Sequence, residues 1–523
     1  MKTLVKLSII FLVLVLIPGC KKKDFKSGFT IPDPIEGKYT GDWDSFNQHQ
    51  IPEWIKDAKF GIYAHWGLYS IPAFNTEWYG GMMYQPHWKE GVVYKHHMEA
   101  FGGPAKFGNK DFIPMFTADK FNPGEWADII EGSGAKFAGI CVIHHDGFAM
   151  WDSKVNRWNA GNMGPKKDLY GELVQSLRKK NLRTVATFHH YRTFDWYLPK
   201  DEDDIKMGIK EKWDLFDPEY RDFYWNHFTS TKEEFEKQWE KKIYEVIVNY
   251  FPDLILFDGG SNRDIQKQIF SYYFNKAAKE GKEVDVLNKY AANHKYNFPV
   301  EFGILSYEGG RDRKPESNEF WIDDLPIGRP WGYTEPYKYV YTTEEIIIGL
   351  IDRVSRNGAL MLSLAPKADG SIPDKQKEIL NDIGDWLKIN GEAIYGSRPW
   401  KIFGEGPTQV YFPTLTDNPQ EHARWEFEGL TSTDIRFTRN KENTVLYAIV
   451  LDWPEDREVS IKNLNSGVKI SEGVITNISL LGSDKNLKWD RDREGLYVIF
   501  PEDKPCNFAY VLKIQLSGKL LSD

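Results

Sequence analysis

The chain is poor in cysteine. Only Cys20, Cys141 and Cys506 occur in 523 residues. So few thiols exclude a disulfide framework as the source of stability. Cys141, inside an apolar run, reads as a buried free thiol. Positive charge is not in excess either. The formal net charge is -9, which argues against a nucleic-acid partner, because phosphates demand a basic face. The N-terminal apolar stretch from Leu7 to Pro18 is too short to span a bilayer. There are no internal repeats and no low-complexity tracts. A helical His-Glu-x-x-His pair, a Gly-x-Ser-x-Gly elbow and a phosphate-cradling Gly-rich loop are all missing, so zinc-peptidase, serine-nucleophile and nucleotide readings lack support. No metal and no cofactor are expected.

What is present is aromatic: 15% of the chain, with 19 Trp, 27 Tyr and 32 Phe. Flat rings pack well on sugar C–H faces, although a large aromatic core explains the same excess. Hydrophobic residues at 41% and charged residues at 27% are ordinary for a globular protein. The length implies two or more domains. Lys2 and Lys6, then the apolar run, then Leu16-Ile-Pro-Gly-Cys20, resemble a bacterial lipoprotein signal whose cysteine is acylated after cleavage. This predicts a signal over residues 1–20 and lipidation at Cys20. A flexible tether follows over residues 21–41, rich in Gly and Pro. The expected location is the cell envelope, periplasmic or surface-exposed, with the lipid as the sole link to the membrane.

Over residues 42–398, short apolar runs alternate with amphipathic helices. The runs are Phe60–Ala64, Phe137–Ile143, Arg183–Phe188, Asp253–Phe257, Phe302–Tyr307 and Leu360–Leu364, and they read as buried parallel strands. The clearest helix spans Thr231–Tyr250. Thr231 and Glu234 can form a capping box, and Phe235, Trp239, Ile243, Val246, Ile247 and Tyr250 line one face. A second places Ile379, Leu380, Ile383, Trp386 and Leu387 on one side. This alternation predicts an α/β, (β/α)8-like barrel. Residues 399–523 carry β-rich segments, Thr444–Leu451 and Leu496–Phe500 among them. Turns separate them at Asn440–Asn443, Asn465–Gly467 and Asp492–Gly495, and a C-terminal β-sandwich is expected.

Barrel chemistry gathers just past the C-terminal strand ends. Those positions hold His65, His144, His145, His189 and His190, five of the 12 histidines. Asp258 and Glu308 also follow apolar runs, and each precedes two glycines that let a ligand approach the backbone. Glycoside hydrolysis needs two such carboxyls. The same pair could instead bond loop backbone or meet Arg311 or Arg313, and spacing leaves both readings open.

Several ordered motifs are similar to glycoside hydrolase family 29, the α-L-fucosidases. They are Lys59-Phe-Gly-Ile-Tyr-Ala-His-Trp-Gly67, Glu77-Trp-Tyr79, His144-His-Asp-Gly-Phe148 with Trp151-Asp-Ser153, Gly164-Pro-Lys-Lys-Asp168, Tyr250-Phe-Pro-Asp253 leading into Phe257-Asp258-Gly259, Trp331-Gly-Tyr333 and Asn390-Gly-Glu-Ala-Ile-Tyr395. The resemblance implies a retaining, metal-independent exo-glycosidase acting on fucosylated or related L-sugar glycans. It implies Asp258 as nucleophile and His65, Glu77, Trp78, His144, His145, His189 and Trp331 as sugar-holding groups. Tyr307-Glu-Gly-Gly-Arg311 resembles one subgroup's acid/base region, which favours Glu308, with Glu301 and Glu316 as alternatives. Two departures fall near the expected sugar: Leu256 where many members carry Trp, and His189-His190-Tyr191-Arg192 where many carry a Tyr-Tyr-Ser type run. They leave an α-L-galactosidase or a linkage-restricted fucosidase open. A glycan-binding lipoprotein without activity is the reading of another class.

Overall fold

The computed structural model describes residues 28–291, 295–309, 319–408 and 430–521. Eight parallel strands close into a barrel: β1 (Phe60–Ala64), β2 (Phe137–Ile143), β3 (Arg183–Phe188), β4 (Leu254–Phe257), β5 (Asp285–Ala291), β6 (Ile304–Glu308), β7 (Trp321–Pro326) and β8 (Gly358–Leu364). Their order is β4-β3-β2-β1-β8-β7-β6-β5, and β4 pairs with β5 to close the ring. The long connecting helices are α1 (Pro123–Gly132), α2 (Leu169–Lys179), α3 (Lys232–Tyr250), α4 (Arg263–Glu280), α5 (Thr343–Ser355) and α6 (Asp374–Asn390). Among the described residues no helix links β5 to β6 or β6 to β7. No described helix is long and apolar enough to cross a membrane.

Local chemistry explains these elements. Thr231 caps α3 as the spacing predicts. Its backbone N–H donates to Glu234 Oε2 at 2.9 Å, and the Glu234 N–H donates to Thr231 Oγ1 at 3.1 Å. The six apolar residues of its expected face are all buried, each worth about 1.5–3 kcal/mol over exposure. The barrel interior is apolar at one level, where Cys141, Leu254, Leu256, Leu287, Ile304, Ile322 and Met361 form one cluster. Strand side chains alternate with period two. The next inward positions toward the C-terminal ends are therefore Asp258, Lys289, Asp324 and Ser363. On these four strands the inward face turns from apolar to polar toward the mouth.

The C-terminal region packs a five-stranded antiparallel sheet and a three-stranded one around a shared core. Its other face joins the barrel: Tyr447, Ile449, Leu451, Ala509 and Val511 belong to the barrel's own cluster. Trp386 Nε1 on α6 donates to the Ala509 carbonyl at 2.8 Å.

Part of the expected tether is docked. Residues 28–41 lie on the barrel, with Tyr39 buried and Phe29, Ile31 and Ile35 packed on the core. Asn275 on α4 donates to the carbonyls of Ile35 and Tyr39 at 2.8 and 2.9 Å. The apolar residues scattered among the glycines and prolines are what bind it. Residues 1–27, with Cys20, lie outside the described residues, as does Glu316.

Candidate active site

The polar layer gathers His65, His144, His145, His189, Asp258 and Glu308, whereas His190 packs against Phe188 and Trp239. His65 follows β1, His144 and His145 follow β2, His189 follows β3, Asp258 follows β4, and Glu308 ends β6. The ring centroids of His144 and His189 lie 5.1 Å apart, those of His65 and His189 5.2 Å, and those of His144 and His145 4.4 Å. Trp331 sits 5.0 Å from His65, and Trp78 lies 5.8 Å from His145. The buried Glu77 accepts from the Trp331 backbone N–H at 3.1 Å, which ties the Glu77 loop to the segment after β7. Gly259 and Gly260 both adopt left-handed backbone, φ 80° and 99°. A Cβ on Gly259 would lie 3.2 Å from His145 Cε1. The turn beyond Asp258 therefore requires glycine.

Two groups at the centre have no counterpart in the sequence motifs. Lys289 Nζ donates to Asp258 Oδ2 at 2.8 Å and to Asp324 Oδ2 at 3.0 Å, and lies 3.5 Å from Glu308 Oε2. Tyr63 OH also donates to Asp324 Oδ2, at 3.2 Å. The strands carrying Lys289 and Asp324 read Asp-Val-Leu-Asn-Lys-Tyr-Ala and Trp-Ile-Asp-Asp-Leu-Pro. Their polar residues broke the apolar runs that marked the other strands. Asp323 faces outward to Arg353 on α5 at 2.7 Å, whereas its neighbour Asp324 faces in.

One ammonium thus serves three carboxyls. Burial works against the charge on Asp258, but the Lys289 ammonium outweighs it and holds the carboxyl far below its ordinary range. Burial likewise opposes the charge on Lys289, and the carboxylates of Asp258, Asp324 and Glu308 hold it well above the lysine range. Asp324 is pushed up to about 7, mainly by burial, against the pull of Lys289. Three carboxyls facing one cation cannot all ionise cheaply, so the cluster retains a proton while Asp258 stays ionised.

The histidines are neutral. Burial, reinforced by neighbouring rings, lowers His145 to about 3; burial, against Asp258, lowers His189 to about 4. The 3.6 Å approach of His189 Nε2 to Asp258 Oδ2 is therefore a contact of an uncharged ring. A neutral imidazole offers one donor and one acceptor, which matches a sugar hydroxyl. His145 Nδ1 meets the His189 carbonyl at 2.6 Å, and His65 Nδ1 meets Ser363 Oγ at 2.8 Å. Each leaves its Nε2 for a ligand. His144 Nδ1, His189 Nδ1, Tyr69 OH and Asp324 Oδ1 are buried without a protein partner. So many unsatisfied polar atoms in one pocket call for a polyhydroxylated ligand.

His65, Cys141 and His189 each bring one ligating atom within 4.8 Å of the others. Burial holds the Cys141 thiol well above its usual range, which favours the protonated form over a metal-binding thiolate. Glu301 is exposed and precedes β6, whereas Glu308 ends it at the mouth. Leu256, expected near the sugar, belongs to the apolar layer beneath Asp258.

The family profile described as Alpha-L-fucosidase matches residues 32–392, and the profile described as Alpha-L-fucosidase C-terminal domain matches residues 429–515. Tissue alpha-L-fucosidase of Homo sapiens is 32% identical over 494 residues, spanning 91% of this chain and 92% of its own. Alpha-L-fucosidase of Branchiostoma floridae is 27% identical over 502 residues, 92% and 96% of the two chains. Among solved structures, the Thermotoga maritima alpha-fucosidase in complex with a mechanism based inhibitor matches with a TM-score of 0.70 at 25% identity. That match covers 91% of this chain and all of the other.

Proposed function

The chain belongs to the α-L-fucosidase family of glycoside hydrolases, and from that premise we propose that it removes terminal α-L-fucosyl residues from glycans with retention, Asp258 serving as nucleophile and Glu308 as acid/base. The observation that carries the assignment is the shared cation. Lys289 contacts Asp258 at 2.8 Å and Glu308 at 3.5 Å. These contacts keep the nearest oxygens of the two carboxylates within about 6.3 Å of each other, compatible with the ~5–5.5 Å separation of retaining pairs.

The geometry supports a two-step reaction. The ionised Asp258 attacks the anomeric carbon, and Glu308 gives its proton to the departing oxygen. Asp258 then becomes a neutral ester, so Lys289 loses one negative partner as Glu308 becomes another. The same ammonium favours the nucleophile first and the conjugate base second. Water next attacks the intermediate, Glu308 takes its proton, and fucose leaves. The neutral histidines with Glu77, Trp78 and Trp331 hold the sugar, and mismatched hydroxyls leave buried polar groups unpaired.

Kinetics of two variants test the roles. Asp258→Ala should abolish turnover on every substrate. Glu308→Ala should remain active on aryl fucosides, whose leaving group needs no proton, and fail on natural glycans. Equal loss on both substrates would remove Glu308 from the role. Anchoring through an acylated Cys20 is supported by the sequence pattern alone. Membrane fractionation of wild type against Cys20→Ser tests it, and equal soluble release of both would refute it.

A further inference from the structure

Among the described residues, three cations without an ion-pair partner lie on neighbouring segments, Arg192 at the turn that carries Asp258 and Lys200 and Lys89 about Trp88. Arg192 is exposed, and its Cβ lies 3.2 Å from where a side chain on Gly259 would begin, so it borders the turn that carries Asp258. Its guanidinium stands 5.3 Å from the centroid of Trp78, the ring beside His145. Farther out, Lys200 Nζ sits 3.7 Å and Lys89 Nζ 5.0 Å from the centroid of Trp88. Some exposed lysines on this acidic chain meet carboxylates, as Lys206 meets Asp203 at 2.7 Å. Among the described residues, Arg192, Lys200 and Lys89 form no ion pair.

The loop that presents Trp88 and Lys89 is strained. Lys89 and Glu90 both adopt left-handed backbone, φ 48° and 60°, at a cost of roughly 1–2 kcal/mol per residue. Gly91 continues it at φ 63°, and a Cβ there would lie 2.1 Å from the Pro86 carbonyl oxygen. Burial, then Lys89 and Arg192, lower Lys200 below the ordinary lysine range, so the three charges feel one another. Like charges gathered beside a binding cleft raise the local concentration of anions.

We infer that the leaving-group side of the pocket recognises an anionic sugar, one bearing a sulfate ester or a carboxylate, with Arg192 as the inner contact and Lys200 and Lys89 as the outer ones. This rests on the fucosidase reading. Fucose carries no charge, so the anion must belong to the remainder of the glycan. The guanidinium fork matches the paired oxygens of either group.

Specificity constants decide it. Three α-L-fucosylated acceptors on one scaffold are compared, neutral, sulfated and uronic, with an aryl α-L-fucoside as control. At low salt the anionic acceptor of the matching class should have kcat/KM about three- to tenfold above the neutral one. The preference should fade toward ~0.5 M salt as exposed charges are screened. Arg192→Gln and Lys200→Glu should each erase the ratio between anionic and neutral acceptors while the fold, followed by Tm, persists. Which of the two anionic arms gains identifies the group. If the aryl fucoside is cleaved but neutral acceptors are processed as well as both anionic ones, or the ratio survives in both variants, this inference fails alone. If the aryl fucoside is not cleaved, the fucosidase reading fails with it.

Discussion

At the seam between barrel and sandwich, the buried Asp352 carboxylate is held between two guanidiniums, Arg356 at 3.0 Å and Arg436 at 2.8 Å. Burial opposes its charge, but Arg436 and then Arg356 hold it below the usual carboxylate range. At the barrel mouth the ratio is reversed: one ammonium, Lys289, faces three carboxyls. The seam has enough cation to keep its acid ionised at all ordinary pH and has no proton to exchange. The mouth has too little, so one proton stays mobile among acids that differ in environment. Excess negative charge in a cleft is the arrangement that acid/base chemistry uses. Satisfied charge at a domain junction is the arrangement that holds parts together.

Separating the two is straightforward. Asp352→Ala removes the buried carboxylate that both guanidiniums share. It should cost about 3–5 kcal/mol of stability, read by denaturant unfolding, while kcat per folded molecule is unchanged. A variant that loses turnover but keeps its stability would break the contrast. Lys289→Met should do the opposite. Turnover on aryl fucoside should fall about 10²–10³-fold, the scale for one preorganised electrostatic contact, and the loss of Tm should be smaller than at the seam because the carboxyls left behind can take up protons. Its pH profile should also change. In wild type, activity on natural glycans should decline as pH rises through about 7, because the cluster's proton is present below the raised value and lost above it. Without the ammonium, Asp324 and Glu308 lose the partner that favours their charged forms, and the decline should move to higher pH. A profile identical to wild type would remove Lys289 from the proton balance. The smallest effect belongs to the imidazoles. His145→Ala removes one hydroxyl partner, worth about 1–3 kcal/mol, and should appear in kcat/KM on a minimal fucoside. Wild-type kinetics per folded molecule with a lowered Tm would make the ring structural.

The sites differ in how visible they are in the chain. His65, His144, His145, His189 and Asp258 stand directly after apolar runs, so the strand pattern itself exposes them. Lys289 and Asp324 lie inside strands whose own polar residues conceal the pattern. Nothing in Trp-Ile-Asp-Asp-Leu-Pro says which aspartate faces the barrel axis. That choice follows from register, since β7 pairs Asp324 with Glu308 on β6 and Met361 on β8. Residues 28–41 are hard to read for the reverse reason. Their glycines and prolines signal a loose segment, and only the groove offered by α4 makes their apolar residues binding ones.

By itself the sequence determined the barrel-plus-sandwich architecture, the capped helices and the residues at most strand ends, because periodicity, capping and strand-end position are local properties. Only the tertiary structure decided which charges meet. Lys289 lies 31 residues from Asp258 and 35 from Asp324. Their attraction exists only once the ring has closed and buried them together, where water no longer screens them.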